Sequence, residues 1–247
     1  RGTAYAGTWK IKYVVDGNRM SGDMNTSMGN CLLMCLMMIA YLESIGVYAE
    51  ICNNGDDSVL IMEEADLQKL GGLPQFFLDL GYTMEVEEPV RSMELIKFCQ
   101  TSPMWDGSVW IMVRTPDRCI AKDLCHVRPL KNVTEYNSYR LAVAECGQAL
   151  AGGVPVLAAF YNMLARGAGT RPAKGYIEYG VERLLVGMGE RVGMPVSQAA
   201  RLSFFTMTGL SAEEQVTIEE YFNSIDLAYS QPSFRLKFQR PLDTWNP

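Results

Sequence analysis

The stretch from Tyr48 to Met62, YAEICNNGDDSVLIM, constrains the fold more than any other part of the chain. Two apolar runs flank a tight polar centre, Asn53-Asn54-Gly55-Asp56-Asp57. The pattern predicts one strand over 47–52 and its partner over 58–62. Asn54-Gly55 is a strong hairpin signal, because both residues tolerate positive φ. The turn then holds two adjacent carboxylates at its tip. Like charges this close repel unless a cation lies between them. Hard divalent ions such as Mg²⁺ prefer carboxylate oxygen and complete their shells with few protein ligands plus substrate phosphates. An Asp pair on a hairpin therefore suits half of a two-metal phosphoryl-transfer site. A lone Gly-Asp-Asp turn is equally compatible with a solvated acidic loop, so the rest of the sequence has to decide.

Arg19 to Asn30, RMSGDMNTSMGN, precedes the hairpin by a helix length and contains the pattern S-G-x-x-x-T-x-x-x-N. This resembles motif B of the viral RNA-dependent RNA polymerases, and Gly55-Asp56-Asp57 resembles their motif C. The fuller string, MSGDMNTSMGN followed by NNGDD, is most similar to the Tombusviridae and their relatives among plus-strand RNA viruses. Both motifs stand in the family's order.

The resemblance implies an α+β fold. A partial right-hand polymerase palm, an antiparallel sheet with packed helices, would occupy 1–115. A mainly α-helical thumb would follow over 116–247. The implied reaction is RNA-templated transfer of a nucleotide from an NTP to a primer 3′-hydroxyl. Two Mg²⁺ ions, with Mn²⁺ as the substitute, would stabilise the attacking and leaving oxygens. Asp56 is the expected direct metal ligand, and Asp57 a second ligand or one that orients the first shell. Thr26 and Asn30 are expected at the sugar hydroxyls. A ribose 2′-OH both donates and accepts, as an amide does. Ser21 and Gly22 would belong to the loop beside template and nucleotide. Phe98-Cys99-Gln100 matches motif E, the primer grip. The partners implied are the RNA template, a primer or nascent strand, and NTPs. Viral replication proteins, host membranes and a membrane-associated complex in the host cytoplasm follow from the resemblance alone.

The formal net charge of −6 does not by itself advertise nucleic-acid binding, but the charge is unevenly placed. Residues 41–90 carry eleven acids against Lys69, whereas residues 91–140 carry eight bases against five acids. An acidic metal-binding part followed by a basic part suits a polymerase better than a general polyanion binder. Seven cysteines form no CxxC pair, which points to reduced thiols rather than a disulfide framework. Cys119, Cys125 and His126 could recruit zinc, but a fourth ligand at structural spacing is missing. The longest apolar run, Cys31 to Leu42, is too short to cross a bilayer and reads as a helix buried on all sides.

Further expectations follow along the chain. A strand covers 9–15 and turns at Asp16-Gly17-Asn18. Asn25 or Thr26 caps a helix that runs to about Ser44 and is stopped by Gly46. A helix over 64–80 is interrupted near Gly71-Gly72-Leu73-Pro74, and a strand follows over 82–86. Strands over 95–100 and 109–113 are joined through Trp105-Asp106-Gly107. Residues 118–123 form a connector. Helices follow over 136–150, from Pro155 to about Arg166, over 174–186, over 196–207, and from a capping box at Ser211-Ala-Glu-Glu214 to about Ser224. The tail from Ser230 reads as irregular.

Two departures from the family pattern matter. Motif A, with its metal-binding aspartate, and the basic motif F lie upstream of motif B, and residues 1–19 show neither. The chain therefore reads as the C-terminal part of a polymerase, with motifs B to E and a thumb, and inactive alone. Motif D carries a lysine in many relatives. Here Glu85 stands in that vicinity and Lys69 is the nearest base, so the proton donor is unassigned. A reverse transcriptase and a non-catalytic RNA-binding fragment are the alternatives. Asn30 and the Asn54-Gly55 before the Asp pair argue against the first.

Overall fold

The computed structural model describes residues 2–16, 22–125, 130–170 and 191–227. Ser21, His126, the turn at Gly17-Asn18, the helix expected over 174–186 and the tail from Ser230 lie outside them. The described residues form seven α-helices and three separate two-stranded antiparallel sheets, a mixed α and β architecture. Contacts divide the chain into two units. One comprises residues 1–90 and 96–99, the other 91–95 and 100–247.

The first unit begins with a hairpin of β1 (Gly2–Ala6) and β2 (Trp9–Tyr13). β2 lies within the strand expected over 9–15, whereas its partner β1 has no counterpart among the expected strands. Helix α1 (Thr26–Ser44) follows. Asn25 is its N-cap but makes no side-chain cap bond, contrary to the expected capping role. Its end is chemically explicit. Gly46 adopts φ 64°, its N–H donates to Glu43 O, and the Val47 N–H donates to Leu42 O at 3.0 Å. Those two bonds make a Schellman motif, with Leu42 and Val47 both buried beneath it.

The hairpin of β3 (Ala49–Asn54) and β4 (Asp57–Met62) comes next, then a 3₁₀ segment over Glu64–Gly72 and helix α2 (Leu73–Asp79). Gly71-Gly72 and Pro74 thus break the helix where expected. One core joins α1, α2 and the hairpin: Met38, Tyr41, Leu42, Val47, Leu73 and Phe77, flanked by Ile51 and Leu60 from the strands. The Tyr41 hydroxyl donates to Lys69 O at 3.2 Å, and its ring lies 5.2 Å from that of Phe76. Burying a side chain such as Leu73 or Phe77 contributes about 1.5–3 kcal/mol.

Helix α1 is not buried all round. Only Met38, Tyr41 and Leu42 are buried, while Leu32, Leu33, Leu36 and Ile39 are exposed, Leu32 to 57%. The uniform apolar composition hid this, because a helix without a polar stripe does not reveal which face finds a partner. By length and composition α1 could also cross a membrane, a property it shares with ordinary core helices. The shorter run read from the sequence had concealed that as well.

Two strand expectations fail. Residues 82–90 join no sheet. They carry Glu85, Glu87 and Glu88, and a strand needs a paired edge to satisfy its backbone. Residues 95–100 hold a 3₁₀ turn (Met93–Leu95), a single bridge at Phe98, and then Cys99 and Gln100 at φ 50° and 62°. Two consecutive left-handed residues end any strand, so the ladder begins at Thr101, beyond the whole of the expected strand.

The second unit opens with β5 (Thr101–Trp105) and β6 (Trp110–Arg114), paired from Thr101↔Arg114 to Trp105↔Trp110. Five helices follow: α3 (Pro116–Lys122), α4 (Val133–Ala151), α5 (Leu157–Ala165), α6 (Gln198–Thr208) and α7 (Ala212–Ser224). Helix α3 replaces the expected connector, with Pro116 in its first turn. The Ser211 capping box is present: Glu214 N–H donates to Ser211 Oγ, and Ser211 N–H to Glu214 Oε2 at 2.8 Å. A large core, including Met104, Leu157, Phe160, Tyr161, Leu164, Phe204 and Phe222, joins strands and helices. Helices α4 and α5 approach so closely that a Cβ on Gly147 would lie 2.0 Å from the Tyr161 ring.

Three acids in this unit are paired with arginines. Arg191 donates to Asp106 Oδ2 at 2.9 Å, and both side chains are largely buried. Arg114 reaches Asp123 with both terminal nitrogens, and Arg201 reaches Glu219 likewise. Glu219 Oε1 also accepts the Val156 N–H at 2.9 Å. Val156 has φ 65° and ψ −53°, and the Leu157 N–H donates back to Pro155 O, so residues 155–157 form a γ-turn in the left-handed region.

Candidate functional site

The β3–β4 register pairs Asn54 with Asp57 and leaves Gly55-Asp56 as the two-residue loop. The turn is thus displaced by one residue from the expected Asn54-Gly55. Gly55 takes φ 73° at the first loop position, as the tight primed hairpin turns require. Space does not dictate the glycine, since a Cβ there meets nothing within 4 Å. The backbone angle does. Asp56 closes the loop, Asp57 starts β4, and both are exposed.

Asn53 builds this turn from inside. Its Nδ2 lies within hydrogen-bond distance of Gly55 O at 3.0 Å, Asp57 O at 3.1 Å and Ser58 Oγ at 2.8 Å. The amide therefore grips the backbone on both sides of Asp56. Its Oδ1 is buried with no hydrogen-bond partner among the described residues. Short polar side chains before a turn commonly bond local backbone in this way. The Asn-Asn pair was the signal, and the sequence reading gave Asn53 no role.

Two thiols complete the support. The Gly55 N–H donates to Cys31 Sγ at 3.1 Å, and Asn54 Nδ2 donates to Cys99 Sγ at 3.1 Å. Cys31 follows Asn30 on α1, so this contact joins the first turns of α1 to the hairpin tip. Thr26 and Asn30, four apart, share one helix face. Thr26 is half-buried and Asn30 exposed. Gly22 precedes the helix at φ 94°. Of the residues singled out from the sequence, Asn30 and the Asp56-Asp57 turn are thus linked through Cys31, and Cys99 reaches the same turn.

Phe98 and Gln100 are placed differently. Phe98 is half-buried. Gln100 belongs to the second unit, where its Oε1 accepts from Arg118 Nη1 at 2.8 Å and its carbonyl accepts the Thr115 N–H. Lys69 is engaged with Asp66 at 2.6 Å, and Glu85 is exposed in an unpaired segment. Cys119 is buried beside Tyr161, and burial pushes its thiol pKa up, so it is a core residue rather than a ready zinc ligand. Cys125 Sγ donates to Ala121 O at 3.2 Å.

The donor chemistry of the hairpin fits a hard divalent ion: two exposed carboxylates on a turn held rigid by Asn53. Among the described residues no third His, Cys, Asp or Glu joins them in a metal-sized cluster. An ion held by this pair alone would leave most of its coordination positions to water, phosphate oxygens or a further carboxylate.

The family described as viral RNA dependent RNA polymerase matches residues 1–230. The chain belongs to that family. It is 40% identical over 230 residues to the RNA-directed RNA polymerase of Tobacco necrosis virus (strain A), which covers 90% of this chain and 31% of the relative. Identity is 42% over 227 residues to the RNA-directed RNA polymerase of Groundnut rosette virus (strain MC1), covering 87% of this chain and 26% of that protein. It is 35% over 246 residues to that of Panicum mosaic virus, covering 98% and 25%. The chain thus spans less than a third of the length of these curated relatives.

Proposed function

We propose that this chain carries the nucleotidyl-transfer turn of an RNA-templated RNA polymerase. The observation that supports this most is the rigid Gly55-Asp56-Asp57 hairpin, tied through Cys31 to the helix bearing Thr26 and Asn30. In this reading Asp56 and Asp57 hold Mg²⁺, or Mn²⁺ in its place, together with a carboxylate from another stretch of the polymerase. When bound, the ions supply charge stabilisation for the attacking and leaving oxygens.

The chain's own residues do the remaining work assigned here. Asp56 is exposed at the loop and presents its carboxylate outward. Asn53 fixes the backbone on either side, so the carboxylates need little reorganisation when charge develops. Asn30 and Thr26 present polar groups on one face of α1 to the sugar of the incoming nucleotide. An amide that bonds the 2′-hydroxyl is left unpaired by a deoxyribonucleotide, which is the physical basis of discrimination. Ser21 and Gly22 flank template and nucleotide, and Phe98, Cys99 and Gln100 the primer end. RNA template, nascent strand and NTPs are the ligands.

The test is Asp56→Asn in the full-length polymerase. Losing one ligand charge removes several kcal/mol of transition-state stabilisation, so templated synthesis should fall by about a thousand-fold or more. Circular dichroism should show an unchanged fold. Near-normal primer extension by that variant would overturn the assignment. Extension by the 247-residue chain alone would overturn the view that another carboxylate is required.

A further inference from the structure

The two residues that precede Asp56 are each held by a sulfur atom. Gly55 donates its backbone N–H to Cys31 Sγ, and Asn54 donates its amide to Cys99 Sγ, both at 3.1 Å. The thiols come from separated parts of the sequence, one on α1 and one beyond the second 3₁₀ turn. Cys99 adopts φ 50°, as Gln100 beside it adopts 62°, a left-handed conformation that costs a non-glycine residue about 1–2 kcal/mol. Such an observed outlier points towards a functional demand. Both cysteines are half-buried. Neither is needed for the core beneath the hairpin, which Ile51, Leu60 and the helices α1 and α2 supply.

We propose that Cys31 and Cys99 are positioning residues for Asp56 and Asp57. They form a thiol clamp that sets the height and orientation of the turn; their part in this is to hold Gly55 and Asn54, not to coordinate the metal. Asn53 fixes the internal shape of the turn, and the sulfurs fix its placement against α1 and against the Phe98-Cys99 segment. Sulfur accepts a hydrogen bond weakly and at longer range than oxygen. Here both sulfur contacts are 3.1 Å, beside 3.0 and 3.1 Å for the Asn53 bonds to Gly55 O and Asp57 O, so the clamp places the turn as closely as its internal bonds do. This inference rests on the reading of Asp56 and Asp57 as the catalytic pair.

The experiment uses the full-length polymerase. In Cys31→Ala the turn loses an anchor while every group assigned to substrate stays in place; Cys99→Ala removes the second anchor, and because Cys99 also stands at the primer end its effect is read together with the KM for primer. Because a misplacement of roughly 1 Å can cost about a hundred-fold in rate, kcat should fall by about ten-fold or more, with the KM for NTP changing less than about two-fold. Cys31→Ser and Cys99→Ser keep an acceptor and should recover part of that loss. A role limited to fold stability would instead lower the amount of active enzyme, with kcat per folded molecule unchanged.

Folded wild-type enzyme provides a second arm that needs no variant. With iodoacetamide, the cysteine sulfur attacks the methylene carbon, a C–S bond forms, iodide leaves and the thiol proton passes to buffer. Peptide mapping then gives the extent of modification at each cysteine. Loss of activity in step with modification of Cys31 and Cys99 supports the clamp. Full activity after their complete modification, or wild-type kcat in both alanine variants, overturns it. Asp56→Asn measured in parallel keeps the two questions apart, because an active Asp56→Asn enzyme sinks the catalytic assignment itself.

Discussion

Two sets of acids, one in each unit, are treated in opposite ways. In the second unit Asp106, Asp123 and Glu219 each face an arginine, and each carboxylate also accepts from a hydroxyl or a backbone N–H. In the first unit the Asp56-Asp57 pair is exposed at a hairpin tip. Carboxylates whose charge is already compensated hold a fold together. Carboxylates left open can take a cation from outside. The cores differ in the same sense: a small cluster under the hairpin against a large one joining β5, β6 and the helices.

This contrast makes opposite phenotypes the sharpest check. Asp56→Asn should abolish synthesis and leave the melting temperature unchanged within a degree or so. Arg191→Ala should do the reverse to the fold. It strands a buried carboxylate that also orders the Ser108 and Val109 backbone, and losing one partner of a buried pair costs about 3–5 kcal/mol. Thermal or urea unfolding measures it, and a stable Arg191→Ala variant would break the comparison.

Asn30→Ala should come next in size. Preference for ribo- over deoxyribonucleotides should drop by about ten-fold or more in competitive incorporation, with RNA affinity little changed. Unaltered selectivity would remove Asn30 from the nucleotide site.

Acid stability separates the two kinds of carboxylate further. Burial by itself would raise the Asp106 pKa. The N–H groups of Val109 and Ser108, the Arg191 guanidinium and the Ser108 hydroxyl together hold it well below the usual carboxylate range. A depressed folded pKa gives stability that is complete above the unfolded value, near about 4, and lost as pH falls through the folded one. The melting temperature of the wild type should therefore decline more steeply below about pH 4 than that of Asp106→Asn. Equal slopes would mean that Asp106 is not a stabilising anion. The smallest effect belongs to Ser211→Ala, which removes the α7 cap and should cost about 1 kcal/mol in denaturant unfolding with no change in synthesis.

Much of this arrangement was legible before any coordinates. Alternating apolar residues around Gly-Asp-Asp specified the hairpin, Gly46 the end of α1, and Ser211 with Glu214 the start of α7, because each is a local signal with one physical solution. The strand expected over 82–86 failed because local propensity cannot supply a pairing partner. The one-residue shift of the loop to Gly55-Asp56 reflects the register that Asn53 enforces through three acceptors. The exposed side of α1 was hidden by its uniform composition. The thiol contacts from Cys31 and Cys99 were invisible for another reason: they join residues 24 and 45 positions apart, and nothing in cysteine spacing announces a hydrogen-bond acceptor.

The γ-turn at Val156 carries a consequence for kinetics. A β-branched residue has no local reason to adopt that conformation, so the unfolded chain samples it rarely. It is imposed by what surrounds it: a buried side chain, the carboxylate of Glu219, and Arg201 holding that carboxylate in place. Contacts of this kind need α5, α6 and α7 packed together. The Val156–Glu219–Arg201 linkage is therefore expected to slow unfolding of the helical unit more than it speeds folding, which unfolding and refolding rates of Glu219→Gln would check.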